Sequence, residues 1–396
     1  MLWTDKLLDY RSCSVVGLAK NTGKTTCLNH ILSRLPAEKT LAVTSIWVDG
    51  EQTDRVTRTP KPEIFLRENT LFATSETHYR QRRLDAEILQ FSRESTALGR
   101  VVIARTLCPG KVMLSGPSSS AGLRRCMAEM QAWQPDLLLV DGALSRLSPA
   151  SPAVSEAMVL NTGAAFSANL SALVQQTALI VEWIRLPLAE AETVAMLLPV
   201  ENGLRVEYAD GVWTDPGLDS ALALRGFAWD ASRRVRTLYL SGALTDSVAD
   251  CLLKESVFGD TEIIVRDFTR IFLRPQQYRL LLAKGFRIRV LQRTELLALC
   301  VNPTSPEGYV LDSERLCSSL SEATGLPVHD LYRNSFPFHI RQEHEKTHPL
   351  PASPAFCALR AVRHAQQLGR HQHETGCQDP QPEFFHQHHL RCLSGG

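Results

Sequence analysis

The chain has 396 residues, of which 44% are hydrophobic, and it carries 43 basic and 42 acidic side chains. Its length exceeds one typical domain, so two domains and some additional chain are expected, with enough apolar residues for packed cores. The net charge of +1 gives no electrostatic case for nucleic acid or a membrane surface, and no apolar run reaches the roughly 18 residues of a membrane span.

Short apolar runs alternate with helical patterns through the first half of the chain. Strands are predicted at 14–16, 41–44, 101–104, 137–140 and 158–160, and helices at 26–35, 121–133 and 168–184. This alternation predicts right-handed crossovers and a parallel sheet, and the continuous apolar strands predict helices on both faces. The polar segment 49–75 predicts a long loop with an inserted strand or hairpin.

The second half of the chain predicts a smaller α/β unit and a tail. Strands are predicted at 237–240, 262–265, 288–291 and 297–301, and helices at 246–255, 276–283 and 312–324. Asn302 would then lie at an edge of this second unit. The predicted organisation is a domain over 1–185, a connecting segment over 186–234, a second domain over 235–335 and a tail over 336–396.

The tail is rich in His, Gln and Pro, and nine of the twelve histidines follow Phe338. Such a composition with little apolar periodicity predicts disorder. His386, His388 and His389 form a cluster without a fixed geometry, so no metal ligand is assigned there.

A glycine loop joins the first predicted strand to the first predicted helix. It reads Gly-Leu-Ala-Lys-Asn-Thr-Gly-Lys-Thr-Thr from position 17, a G-x5-G-K-T pattern one residue longer than the strict G-x4-G-K-[ST] form. Backbone N–H groups and the helix dipole surround an anion at such a junction, which predicts a P-loop. In that interpretation Lys24 reaches the β- and γ-phosphates as the catalytic lysine, and Thr25 places its hydroxyl on Mg²⁺. The nucleotide-binding set is Gly17, Lys20, Asn21, Thr22, Gly23, Lys24, Thr25 and Thr26.

Two acidic residues follow neighbouring strands. Asp141 comes directly after the apolar run 137–140, and a carboxylate there suits Mg²⁺ on a bound phosphate, although Asp-Gly is also an ordinary turn. Asp49 follows the second strand and is the second catalytic candidate. It could order Mg²⁺, activate water or bind a cationic substrate, and a solvated acidic loop is an equal alternative.

The loop from Gly17 to Thr25 resembles those of dethiobiotin synthetase and of the cobyrinic-acid amidases, in the MinD-like branch of P-loop proteins. This resemblance implies a P-loop NTPase fold of the α/β class and ATP with Mg²⁺ as cofactors. It also implies that Lys20 reaches a phosphate across a homodimer.

Three segments also resemble ATPases that accompany cobalamin-dependent aminomutases. They are 17–26, then Thr-Ser-Ile at 44–46 with Asp-Gly-Glu at 49–51, and Val-Asp-Gly-Ala-Leu at 140–144. In lysine 5,6-aminomutase systems such proteins are thought to reactivate the stalled mutase. The resemblance implies an aminomutase as partner of this chain.

Three functions remain open on the sequence. The first is an ATPase that acts on a partner protein, the second is an ATP-dependent synthetase of the dethiobiotin synthetase type, and the third is a non-catalytic nucleotide sensor. The choice between ATP and GTP is also open. The N-terminus does not resemble a secretory signal, and the scattered cysteines suit a reducing compartment, so a cytoplasmic location is expected.

Overall fold

The computed structural model describes residues 3–46, 63–142 and 150–333. The strands of these ranges are β1 (Ser12–Gly17), β2 (Leu41–Ser45), β3 (Ile64–Leu66), β4 (Leu71–Ser75), β5 (Ala86–Thr96), β6 (Gly99–Thr106), β7 (Gly110–Val112), β8 (Leu137–Asp141), β9 (Ala157–Gly163), β10 (Leu204–Tyr208), β11 (Trp213–Thr214), β12 (Val235–Leu240), β13 (Leu244–Thr245), β14 (Phe258–Val265), β15 (Ile271–Phe272), β16 (Arg287–Val290), β17 (Glu295–Asn302) and β18 (Val328–Asp330). The helices are α1 (Lys24–Arg34), α2 (Glu76–Arg80), α3 (Ser120–Gln131), α4 (Leu170–Ile184), α5 (Ala191–Leu197), α6 (Asp246–Lys254), α7 (Pro275–Ala283) and α8 (Ser313–Thr324).

A nine-stranded sheet has the order β18-β17-β9-β1-β8-β2-β4-β6-β5. From β18 to β4 every neighbouring pair is parallel, whereas β6 is antiparallel to both β4 and β5. The predicted α/β class with a mostly parallel sheet is confirmed. The strand predicted at 101–104 lies in β6 and runs against the rest, because only Ala97 and Leu98 separate β5 from β6 and so short a turn joins antiparallel strands.

Helices cover both faces of this sheet, as predicted. Along β1, Cys13 and Val15 share a core with Leu28 and Ile31 of α1. Val16 points to the opposite face, where it shares a core with α4 and α8. This alternation follows from the two-residue period of a strand, which sends successive apolar side chains to opposite faces.

A five-stranded sheet has the order β11-β10-β12-β14-β16. Its strands β12, β14 and β16 are parallel, with α6 and α7 in the two connections. The strands predicted at 237–240, 262–265 and 288–291 are therefore confirmed as neighbours in a second sheet.

The strand predicted at 297–301 exists as β17, but its assignment to the second sheet was wrong. β17 pairs in parallel with β9 of the nine-stranded sheet, from Glu295 opposite Ala157 to Asn302 opposite Gly163. β18 then pairs with β17. Apolar periodicity identifies a strand but not its partner, and here the chain returns to the first sheet after completing the second.

One hydrophobic core joins the two sheets. It includes Val181 of α4, Leu238 and Ile263 of the second sheet, and Leu316 of α8. Met1–Phe336 forms one compact unit, and the domain boundaries predicted at 186 and 235 stay predictions. The tail predicted over 336–396 lies outside the described residues. Within the described ranges, no helix combines the length and apolar character needed to cross a bilayer.

Candidate functional site

The glycine loop lies where the carboxyl ends of the central parallel strands meet. β1 ends at Gly17 and β8 ends at Asp141, and the two strands are in register with Val15 opposite Asp141. α1 begins at Lys24, so six residues connect strand and helix. The carboxyl edge of an open parallel sheet is where α/β proteins bind ligands.

The loop has a left-handed backbone at two positions. Asn21 has φ 61° and Gly23 has φ 96°, a region that favours Asn and Gly over other residues. Thr22 is buried, and its Oγ1 donates a hydrogen bond to the Ala19 carbonyl at 2.9 Å. The buried Thr22 hydroxyl therefore links the two halves of the loop by a hydrogen bond across it.

Gly17 allows the loop to pack closely against the end of β1. A Cβ atom at position 17 would lie 2.4 Å from Thr22 Oγ1 and 3.0 Å from Lys24 Cγ. Both distances are far shorter than ordinary carbon contacts. A larger residue at position 17 would therefore displace Thr22 and Lys24 from their observed places.

No side chain of the described residues caps the first turn of α1. The helices α3, α4, α6 and α8 each begin with a side chain that accepts a hydrogen bond from a first-turn N–H group, namely Ser119, Asn169, Thr245 and Asp312, whereas α5 and α7, like α1, lack such a bond. At α1 the N-cap residue is Gly23, which has no side chain to accept one. The first-turn N–H groups and the positive end of the helix dipole are therefore available to an anion.

Lys24 and Asp141 interact electrostatically beside this turn. Burial lowers the pKa of Lys24, the Asp141 carboxylate opposes that change, and the charge of Lys20 adds to it. Burial raises the pKa of Asp141 to about 6, against the opposing effect of Lys24. Asp141 Oδ1 is shielded from solvent and has no hydrogen-bond partner among the described residues. A buried carboxylate oxygen without a partner is costly and suits a cation or a bound water at this position.

The other predicted site residues lie on the glycine loop, in the first turn of α1, or outside the described residues. Lys20 is exposed on the loop, and Thr25 is half-buried in the first turn of α1. Thr26 donates a hydrogen bond from Oγ1 to the Tyr332 hydroxyl oxygen at 3.1 Å. Asp49 lies outside the described residues. The last strand residue before it, Ser45, is in register with Asp141, so the chain leaves β2 next to that carboxylate.

Two residues from the end of the described chain contact the loop, and the sequence analysis did not assign either to it. Asn302 donates from Nδ2 to the Asn21 carbonyl at 2.8 Å. The Tyr332 ring would contact a Cβ atom on Gly23 at 3.2 Å. Asn302 was expected at an edge of the second unit, and the return of β17 to the first sheet places it here instead. No motif marks Tyr332.

The fold and the site define an α/β protein with a glycine loop, an uncapped helix start and a lysine–aspartate pair at one sheet edge. No group of three or more His, Cys, Asp or Glu side chains able to hold a metal occurs in ranges 3–46, 63–142 and 150–333. Comparison with protein-family models, with curated proteins and with solved structures found no significant match. The functional argument therefore depends on the geometry of the site.

Proposed function

We propose that this chain is a P-loop ATPase that uses Mg²⁺ and acts on a partner protein. The observation that carries the proposal is the start of α1 at Gly23, which no described side chain caps, flanked by Lys24 and by an Asp141 Oδ1 atom that has no hydrogen-bond partner among the described residues. A triphosphate supplies the anion that the helix start accepts, and Mg²⁺ supplies the cation that suits the carboxylate.

The residues present fit these groups. Backbone N–H groups from the loop and the first turn of α1 would surround the phosphates, and Lys24 would neutralise phosphate charge. Thr25 and Asp141 would face the metal side, where hydroxyl and carboxylate oxygens are the preferred ligands. Bound Mg²⁺ would withdraw charge from the phosphates during transfer.

A protein partner is supported by the way the fold gathers the segments that resemble aminomutase reactivases. The three segments at 17–26, 44–51 and 140–144 are far apart in sequence. The first segment starts at the last residue of β1 and continues through the loop into α1, and the described parts of the other two lie at the ends of β2 and β8. These three strands are adjacent in the order β1-β8-β2. Ser45 is in register with Asp141, and Asp141 with Val15. A cobalamin-dependent aminomutase is therefore the proposed partner.

The test measures ATP hydrolysis with Mg²⁺ in the presence and absence of a stalled lysine 5,6-aminomutase, together with recovery of the mutase activity. We expect the stalled mutase to stimulate hydrolysis and to regain activity only with the wild-type chain. Lys24→Ala serves as the matched inactive variant. Turnover that instead requires a small carboxylate and an amine would identify a synthetase, and ATP binding without turnover under all conditions would identify a sensor. Absence of ATP and GTP binding with Mg²⁺ would refute the P-loop assignment.

A further inference from the structure

We propose that Asn302 and Tyr332 are positioning residues that hold the outer side of the glycine loop in its nucleotide-binding shape. This inference rests on the proposed function. Both residues come from the returning segment of the chain, at the end of β17 and just after β18. The loop at positions 18–23 is thus completed by residues about 300 positions away in the sequence.

Asn302 uses both ends of its side-chain amide. Nδ2 donates to the Asn21 carbonyl at 2.8 Å, and Oδ1 accepts from the Thr304 backbone N–H at 3.1 Å. The second bond fixes the orientation of the amide, so the donor faces Asn21. Because Asn21 has φ 61°, its backbone is in a sparsely populated region that other contacts must hold.

The backbone of Asn302 is itself held against the neighbouring strand end. Its carbonyl accepts a hydrogen bond from the Ala164 N–H at 2.9 Å. A Cβ atom at Gly163 would lie 2.0 Å from that carbonyl oxygen, so only glycine permits this approach. Asn302 therefore contacts the loop from the end of β17, where its backbone is held against the end of β9.

Tyr332 acts on the next part of the loop. Its ring lies against Gly23, and its hydroxyl oxygen accepts the hydrogen bond from Thr26 Oγ1 at 3.1 Å. The turn that carries Tyr332 is held by Asp330, whose Oδ1 atom accepts hydrogen bonds from the backbone N–H groups of Tyr332 and Arg333 at 2.8 and 3.3 Å. Gly23 also has a left-handed backbone, with φ 96°, so the two residues together contact both left-handed positions of the loop.

The first experiment measures the affinity of the full-length chain for a fluorescent ATP analogue with Mg²⁺ by titration, and the melting temperature without nucleotide. Asn302→Leu keeps the approximate size of the side chain and adds no charge beside the loop, but it removes the donor to Asn21. We expect it to weaken nucleotide binding about threefold to tenfold or more, as the loss of one hydrogen bond implies. Asn169→Ala is the control, because it removes a helix cap at α4 and lowers stability without contacting the loop.

The second experiment is a double-mutant cycle on the same affinity with Tyr332→Phe and Thr26→Val. If the Tyr332 hydroxyl acts by positioning Thr26, Tyr332→Phe weakens binding in the wild-type background and has no effect in a chain that already carries Thr26→Val. Tyr278→Phe is the control, since it removes another tyrosine hydroxyl bond, the one to Glu182 at 2.8 Å.

The outcomes separate this inference from the proposed function. If wild-type protein does not bind the ATP analogue, the proposed function is refuted, and the inference about Asn302 and Tyr332 is refuted with it. If wild-type protein binds it, and Asn302→Leu and Tyr332→Phe bind as wild type does, the inference is overturned while the function stands. Loss of affinity matched by an equal loss in Asn169→Ala and Tyr278→Phe would also overturn it, because the effect would then reflect stability alone.

Discussion

Replacement of Gly17 by alanine tests the packing of the glycine loop directly. The new Cβ atom would lie 2.4 Å from Thr22 Oγ1 and 3.0 Å from Lys24 Cγ. Thr22 is buried and its hydroxyl bonds to the Ala19 carbonyl, so it can move aside only by giving up that bond. Overpacking of this kind costs about 1–3 kcal/mol and the lost bond about 1 kcal/mol. We therefore expect a loss of about 2–4 kcal/mol in stability, and nucleotide affinity reduced at least about tenfold as Lys24 is displaced.

The free energy of unfolding in urea and the Kd of a fluorescent ATP analogue measure the two effects. Gly259→Ala is the matched control, because an added Cβ at this exposed position of β14 meets no atom within 4 Å. A Gly→Ala change without strain alters stability by at most about 1 kcal/mol. Wild-type affinity and stability in Gly17→Ala would refute the packing argument.

Three further predictions concern the site and the fold. Lys24→Ala should abolish nucleotide binding or hydrolysis, because no other lysine shares its place in the first turn of α1; unchanged ATP affinity and turnover would remove Lys24 from the site. Asp141→Asn should weaken the Mg²⁺ dependence of turnover. Burial raises the pKa of Asp141 to about 6, so the wild-type carboxyl group is mostly protonated below that pH. Mg²⁺-supported nucleotide binding should therefore fall as the assay pH drops from about 7 to about 5. A flat pH profile equal to that of Asp141→Asn would contradict the assignment. A chain truncated after position 234 lacks β17, the neighbour of β9, and should fail to give a cooperative unfolding transition in urea. Truncation after Phe336 is the control, because it keeps the compact unit. A cooperative transition in the shorter chain would show that the first sheet folds without β17 and β18.

Local sequence patterns located most of the elements that carry the site. The strands at 14–16 and 137–140 and the helix at 26–35 were found because continuous apolar runs and a helical period are properties of a few consecutive residues. The loop between them was found because Gly17, Gly23 and Lys24 form a motif. β3 and β4 lie in the segment 49–75, where an inserted strand or hairpin was predicted, whereas β5 was missed because its residues had no assigned pattern.

Pairing partners could not be predicted in the same way. The run at 297–301 was correctly identified as a strand, yet it was placed in the wrong sheet, because the second sheet precedes it in the chain. Asn302 was consequently assigned to the wrong edge. The contact of Asn302 with Asn21 spans 281 positions, and no local signal records such a contact.

The sequence by itself determined the α/β class, the glycine loop and the order of strand, loop and helix, because these depend on local backbone preferences and on the burial period of short segments. Only the tertiary structure decided that β17 and β18 complete the first sheet and that Asn302 and Tyr332 contact the loop. These arrangements depend on which apolar faces pack together, and packing is a property of the whole chain rather than of any segment.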